Sequence, residues 1–163
     1  MIQRVRNIGQ NAMSDRQQLN TTIARLYDVI CFPEGGNPDW SGMAQLFLPG
    51  ARITRITPEA RDDLDFEGFK NMVTELLDEG VITSFYEREI GRRCELFGSV
   101  AHVLSAYETK SRRNAIGVLG RGLNSLQLVR VGNDWRIVSL LWDESCPAET
   151  AHYGFETWER LYG

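Results

Sequence analysis

The chain has 163 residues, 42% of them hydrophobic and 25% charged, with a formal net charge of −4. That length suits one domain with a core that needs no metal or disulfide staple, and the composition excludes disordered and fibrous classes. The negative balance argues against a dedicated nucleic-acid binder, which needs a basic face to neutralise phosphates. Arg92-Arg93 and Arg112-Arg113 read as solvated strand ends.

Apolar runs such as 137–142 are far too short to cross a bilayer, and the N-terminus carries Arg4 and Arg6 without the apolar segment of a secretory signal. No membrane association is expected, and the expected location is cytoplasmic. The three cysteines, Cys31, Cys94 and Cys146, are odd in number and far apart, which speaks against a disulfide framework and a paired-cysteine metal site. His102 and His152 are too separated to suggest a local metal motif, so neither metal nor cofactor is expected.

Residues 1–13 are polar and aperiodic, and a helix is predicted from Ser14, with Leu19, Ile23, Leu26 and Ile30 on one buried stripe and Tyr27 beside it. Two prolines and two glycines in residues 33–38 end it. Asp39 is a cap for a second, short helix that turns Trp40, Met43, Leu46 and Phe47 inward, closed by Pro49-Gly50. A brief strand is predicted over 52–57. The acidic stretch 59–65 then leads into a third helix, its carboxylates near the positive end of the helix dipole, with Phe66, Phe69, Met72, Val73, Leu76 and Leu77 as the apolar stripe. Gly80 closes that helix.

Beyond Gly80 the period changes to two. Strands are predicted over 81–97, 100–110, 115–131 and 135–143, with turns at Gly98-Ser99, 111–114 and Gly132-Asn133-Asp134. Gly117, Gly120 and Gly122 favour bulging and coiling of the third long strand, and the 117–122 run lacks the helix-opening position of a phosphate loop. The tail 146–163, with Phe155, Trp158, Leu161 and Tyr162, is expected to form a last amphipathic helix. The predicted organisation is a lead over 1–13, one domain over 14–145 and this tail. The fold class is α+β, with three helices packed on a strongly curved antiparallel sheet, a cone with a natural cavity.

Alternation divides each long strand into two sets. On the first, Phe85, Glu87 and Glu89 oppose Tyr86, Arg88 and Ile90. On the second, His102 shares a face with Val100, Leu104 and Ala106, opposite Ala101, Val103, Ser105 and Tyr107. On the third, Ser125, Gln127, Val129 and Val131 oppose Leu126, Leu128 and Arg130. The last strand sets Val138, Leu140 and Trp142 against Ile137, Ser139 and Leu141.

The order of elements, the helix bearing Arg25-Leu26-Tyr27, the phrase Ala44-Gln45-Leu46-Phe47 and the closing hairpin 127–138 resemble the nuclear-transport-factor-2-like superfamily over residues 14–145. Ketosteroid isomerase, scytalone dehydratase, polyketide cyclases and non-catalytic adaptors share that superfamily, so the resemblance implies a cystatin-like α+β roll and leaves the activity open. It sends the Phe85 and His102 sets into the cavity and matches Tyr27 to the isomerase tyrosine that donates a hydrogen bond. Arg55 stands where the isomerase has its aspartate base, and Gln127 where it has a protonated aspartic acid, so ketosteroid isomerisation is not expected. Of the scytalone dehydratase set, Tyr27 and His102 have counterparts.

These readings make His102 and Tyr27 the expected catalytic residues. Arg55, Phe85, Glu87, Glu89, Ser125, Gln127 and Trp142 are the expected substrate-binding ones. Three functions stay open: a cofactor-independent acid/base enzyme (isomerase, dehydratase or cyclase type) on a compact apolar oxygenated molecule, a non-catalytic ligand-binding or dimerisation module, or a protein-recognition adaptor. A homodimer is expected through an outer sheet face bearing Leu126, Leu128, Ile137 and Leu141.

Overall fold

In the computed structural model, residues 14–144 and the pair Glu159–Arg160 are described. Helix α1, Asp15–Ile30, begins in a capping box: the Gln17 backbone N–H donates to Ser14 Oγ at 3.2 Å, and the Ser14 N–H donates to Gln17 Oε1 at 2.8 Å. Each bond satisfies a donor that the first helical turn would otherwise leave unpaired. Asp39 caps α2, Trp40–Ala44, by accepting from the Gly42 N–H at 2.8 Å, and Asp65 caps α3, Phe66–Asp78, through Gly68 at the same distance. The buried members of α1 are Leu19, Ile23, Leu26, Tyr27 and Val29, so the predicted stripe is the stripe that packs.

Seven strands form one sheet among the described residues. They are β1 (Phe47–Ile56), β2 (Arg61–Leu64), β3 (Tyr86–Phe97), β4 (Val100–Lys110), β5 (Gly120–Val131), β6 (Asp134–Asp143) and β7 (Glu159–Arg160). Their spatial order is β2-β1-β6-β5-β4-β3-β7. Every pair is antiparallel except β1 with β6, which run parallel. Helix α1 packs on β3 and β6, and α3 packs on β1.

Several boundaries differ from expectation for local reasons. Pro49-Gly50 lies inside β1, where the register against β6 shifts and Gly50 takes φ +80°, a conformation favouring glycine. The acidic segment before α3 contains β2, because Thr54 and Arg55 on β1 supply hydrogen bonds to Asp63 and Asp62 across the pair. Residues 111–119 form the β4–β5 connection, with the strand starting at Gly120. The expected lead 1–13 lies outside the described residues. So does the expected tail helix, apart from Glu159–Arg160, which pairs as a strand with Gly91 and Arg92 of β3.

Two bulges bend the sheet and decide side-chain phase. On β3, Glu89 faces Tyr107 while Gly91 faces Ala106, so Ile90 is the extra residue. On β6, Ser139 faces Gln127 while Ile137 faces Leu128, so Val138 is extra. An inserted residue restarts the alternation. Ile137 and Leu140 consequently share the inner face, although simple alternation sets them on opposite ones.

Leu126 and Leu128, at 0% and 2% exposure, and Ile137, at 0%, belong to the core beneath the helices. They do not form the expected outer dimer patch; of that set only Leu141, at 39%, is exposed. The inner face of β5 is the one bearing Gly122, Asn124, Leu126 and Leu128, which reverses the expected phase.

Candidate functional site

A cavity of about 620 Å³ opens between α1, α3 and one end of the sheet. Its wall is mainly apolar, including Leu26, Phe32, Met43, Phe69, Val73 and Leu140. The polar residues on it include Arg55, Glu87, Thr109 and Asn124, with Arg121, Asp143 and Glu144 also on the wall. A concave, largely apolar space with a few convergent polar groups is the usual form of a small-molecule site.

Glu87 is held by its own backbone as well as by the strand. Where α1 ends, Phe32 exchanges backbone hydrogen bonds with Phe85 at 2.8 and 3.0 Å. The Cys31 thiol donates to the Glu87 carbonyl and accepts from its N–H, both at 3.2 Å. The start of β3 is thus clamped to the end of α1. The Glu87 carboxyl lines the cavity and accepts from Asn124 Nδ2 at 3.4 Å. Burial pushes its pKa from 4.5 up to about 8, with the Asn124 hydrogen bond opposing part of that rise. The surface that Glu87 still presents is cavity wall.

Behind the cavity lies a buried polar chain. Tyr27 Oη is 2.7 Å from Ser105 Oγ and accepts from Asn124 Nδ2 at 3.2 Å. Ser105 donates to Glu89 Oε1 at 2.6 Å. Arg92 Nε donates to the same carboxylate at 2.9 Å, its Nη2 pairs with the other oxygen, and its Nη1 donates to Asn20 at 2.6 Å. The Ile90 bulge is what turns Glu89 and Arg92, three residues apart, onto one face. Burial raises the Tyr27 phenol well above its ordinary range, reinforced by the charge of Glu87. Tyr107 is raised by burial and then by Glu87 and Glu144. Its ring lies over Gly122, the position opposite it on β5, where any Cβ would overlap the hydroxyl. That close approach explains one glycine of the 117–122 run.

Of the expected site residues, Arg55, Phe85, Glu87 and Trp142 line the cavity. Arg55 is paired with Asp62, at 2.9 Å from Nε and 2.8 Å from Nη2. Trp142 meets Phe69 edge-on and donates to Glu144 at 2.8 Å. Tyr27 and Glu89 sit in the polar chain behind the wall.

His102, Ser125 and Gln127 are on the opposite, outer face of the sheet. There His102 Nε2 is 3.3 Å from Ser125 Oγ, and Gln127 is exposed. His102 therefore shares no cavity with Tyr27, and its expected catalytic placement is corrected. The inner face of β4 is the one with Ala101, Val103, Ser105 and Tyr107, all buried. Asn124, Ser105, Tyr107 and Arg92 were missed as site residues. Alternation had grouped Ser105 with Tyr107, but the choice of inward face went the other way.

Among the described residues no group of three or more His, Cys, Asp or Glu side chains is arranged to hold a metal ion, and no helix is long and apolar enough to cross a membrane. No protein-family model and no curated protein matches the chain.

Solved structures do match. A Nostoc punctiforme protein of unknown function with a cystatin-like fold superposes with a TM-score of 0.61 at 11% identity, covering 79% of this chain and 90% of that one. A nuclear-transport-factor-2-like protein with a cystatin-like fold from Novosphingobium aromaticivorans gives 0.60 at 14% identity, covering 85% and 88%. A nuclear-transport-factor-2-like protein of unknown function from Silicibacter pomeroyi gives 0.53 at 16% identity, covering 77% and 91%. The chain therefore has the cystatin-like α+β fold of nuclear-transport-factor-2-like proteins.

Proposed function

We propose that the protein binds a compact, mostly apolar molecule carrying one or two oxygens and performs cofactor-independent acid/base chemistry on it, with Glu87 as the proton carrier. The observation that carries this reading is the Glu87 carboxyl, set into a largely apolar cavity wall and supported by Asn124. A carboxyl whose pKa lies near neutrality can both give and take a proton under cellular conditions. Isomerisation, dehydration and cyclisation of a carbonyl compound all need such a group. Arg55, although paired with Asp62, brings positive charge to the wall where an enolate oxygen could be steadied.

The test uses a panel of compact apolar ketones and lactones. Binding is followed by thermal shift, and proton abstraction by deuterium exchange at the carbon next to the carbonyl. Glu87→Gln should leave binding within a few fold and slow exchange by about two orders of magnitude or more. Binding with no catalysed exchange supports the alternative, a non-catalytic ligand-binding module.

The outer sheet face supports a second proposal, a symmetric dimer. Val138 and Leu141 are exposed there, and Leu104, Leu123 and Val129 are half-buried beside them. A second copy is the self-complementary cover for such a face.

A further inference from the structure

We infer that the buried Glu89–Arg92 ion pair, remote from the cavity wall, is a positioning device: it sets the direction of the hydrogen-bond chain through Ser105 and Tyr27 and so fixes which end of the Asn124 amide meets Glu87. The inference rests on the reading of Glu87 as the working carboxyl.

The direction follows from donors and acceptors alone. Arg92 donates to both oxygens of Glu89, which fixes that group as a pure acceptor. The Ser105 hydroxyl, 2.6 Å away, must then donate to it. Having spent its proton, Ser105 can only accept from Tyr27 across their 2.7 Å contact. Tyr27 in turn has no proton left for Asn124, so the amide group 3.2 Å from its oxygen has to be the NH₂. The same Nδ2 is 3.4 Å from Glu87, so Glu87 receives a hydrogen bond instead of facing the amide oxygen. Turning the amide over would set Oδ1 against the phenol oxygen, which has no proton left to give, and against a second acceptor whenever Glu87 is ionised.

Two consequences follow. Tyr27 offers no proton to a bound ligand, unlike the tyrosine it resembles in sequence position. The Glu87 carboxyl is met at one oxygen by Asn124, which leaves its proton for the other oxygen and the cavity. Other ionisable groups bear on it from every side. Tyr27 lies on α1 and Cys31 just past its end, Tyr107 on β4 and Glu89 on the same strand as Glu87. Arg55, Arg121, Asp143 and Glu144 stand around the cavity.

The test is the titration of Glu87 in the ligand-free full chain, read by NMR of glutamate ¹³C-labelled at the carboxyl. Tyr27→Phe removes the acceptor that holds the Asn124 amide and cuts the same chain one link nearer the carboxyl, so the midpoint should move by about half a unit or more. Asn124→Leu removes the donor and should raise the midpoint by about one unit. Ser105→Ala cuts the chain from the ion pair and frees the Tyr27 proton, so the midpoint should move by about half a unit or more. A midpoint unmoved in Ser105→Ala or in Tyr27→Phe, or lowered in Asn124→Leu, overturns the inference. Because no ligand or activity enters the readout, failure to find catalysed exchange would sink the proposed chemistry and leave this result standing.

Discussion

Replacing Glu87 by Gln keeps the side chain's size and most of its hydrogen bonding while removing its titration, which makes stability against pH a direct probe of the site. In the unfolded chain the carboxyl titrates near 4.5, and in the folded protein near 8. Between those values the folded protein holds a proton that the unfolded chain has lost, so stability is greatest below the lower value and falls as pH rises through the upper one. At about 1.4 kcal/mol per pH unit, the loss between pH 5 and pH 9 amounts to about 4 kcal/mol for a fully dry carboxyl. Water entering the open cavity screens the charge, and a loss of roughly 2–4 kcal/mol is expected. The assay is urea unfolding of wild type and Glu87→Gln at several pH values across that range. Taking the difference between the two proteins cancels the contributions of other groups, including Cys31, whose thiol is also raised by burial. Glu87→Gln should be close to wild type near pH 5, exceed it progressively as pH rises to about 8, and keep a constant margin beyond. Parallel curves for the two proteins would show that the carboxyl is solvated, and the argument for Glu87 as a proton carrier would fail with it.

Other perturbations test the surroundings of the site. Arg92→Met leaves Glu89 buried without its partner and should destabilise by about 3–5 kcal/mol in urea unfolding, whereas removing both charges together should cost much less. Gly122→Ala forces a methyl group against the Tyr107 ring and should cost about 1–3 kcal/mol and alter the near-ultraviolet circular dichroism. His102→Gln, on the outer face, should leave the Glu87 titration and any exchange activity unchanged; a large loss of exchange would restore a role for the histidine. Leu141→Glu should convert a dimer to a monomer in sedimentation velocity, and a monomeric wild type at micromolar concentration would refute the dimer.

Much of the architecture was legible from residue order alone. Apolar spacing located the three helices, because one face of a helix must be buried and its period shows in the sequence. Asp39 announced one helix start, since capping is a local interaction between residues three apart, and the acidic stretch 59–65 led into another, where the structure makes Asp65 the cap. Alternation correctly grouped Phe85, Glu87 and Glu89 on one face, and Ser105 with Tyr107 on one face. Glu87 and Trp142 were accordingly expected near a ligand, and both line the cavity.

Alternation divides a strand into two sets but does not say which set the helices cover. On β4 and β5 both sets contain apolar residues, so the inward choice depended on what packs above, and His102 and Gln127 were placed on the wrong side. The bulges at Ile90 and Val138 are tertiary features as well: an extra residue changes the phase of every residue beyond it, and its position appears only when the partner strand is in place. The polar chain from Arg92 to Glu87 could not be read locally for the same reason. Tyr27 stands 78 residues from Ser105 and 97 from Asn124, and only the packing of α1 on the curved sheet brings their hydrogen-bonding atoms within reach. Sequence determined by local periodicity which elements form and which residues travel together. Tertiary structure decided which face of β4 and β5 is inside, and therefore that the amide beside Glu87 is Asn124 and that His102 lies outside.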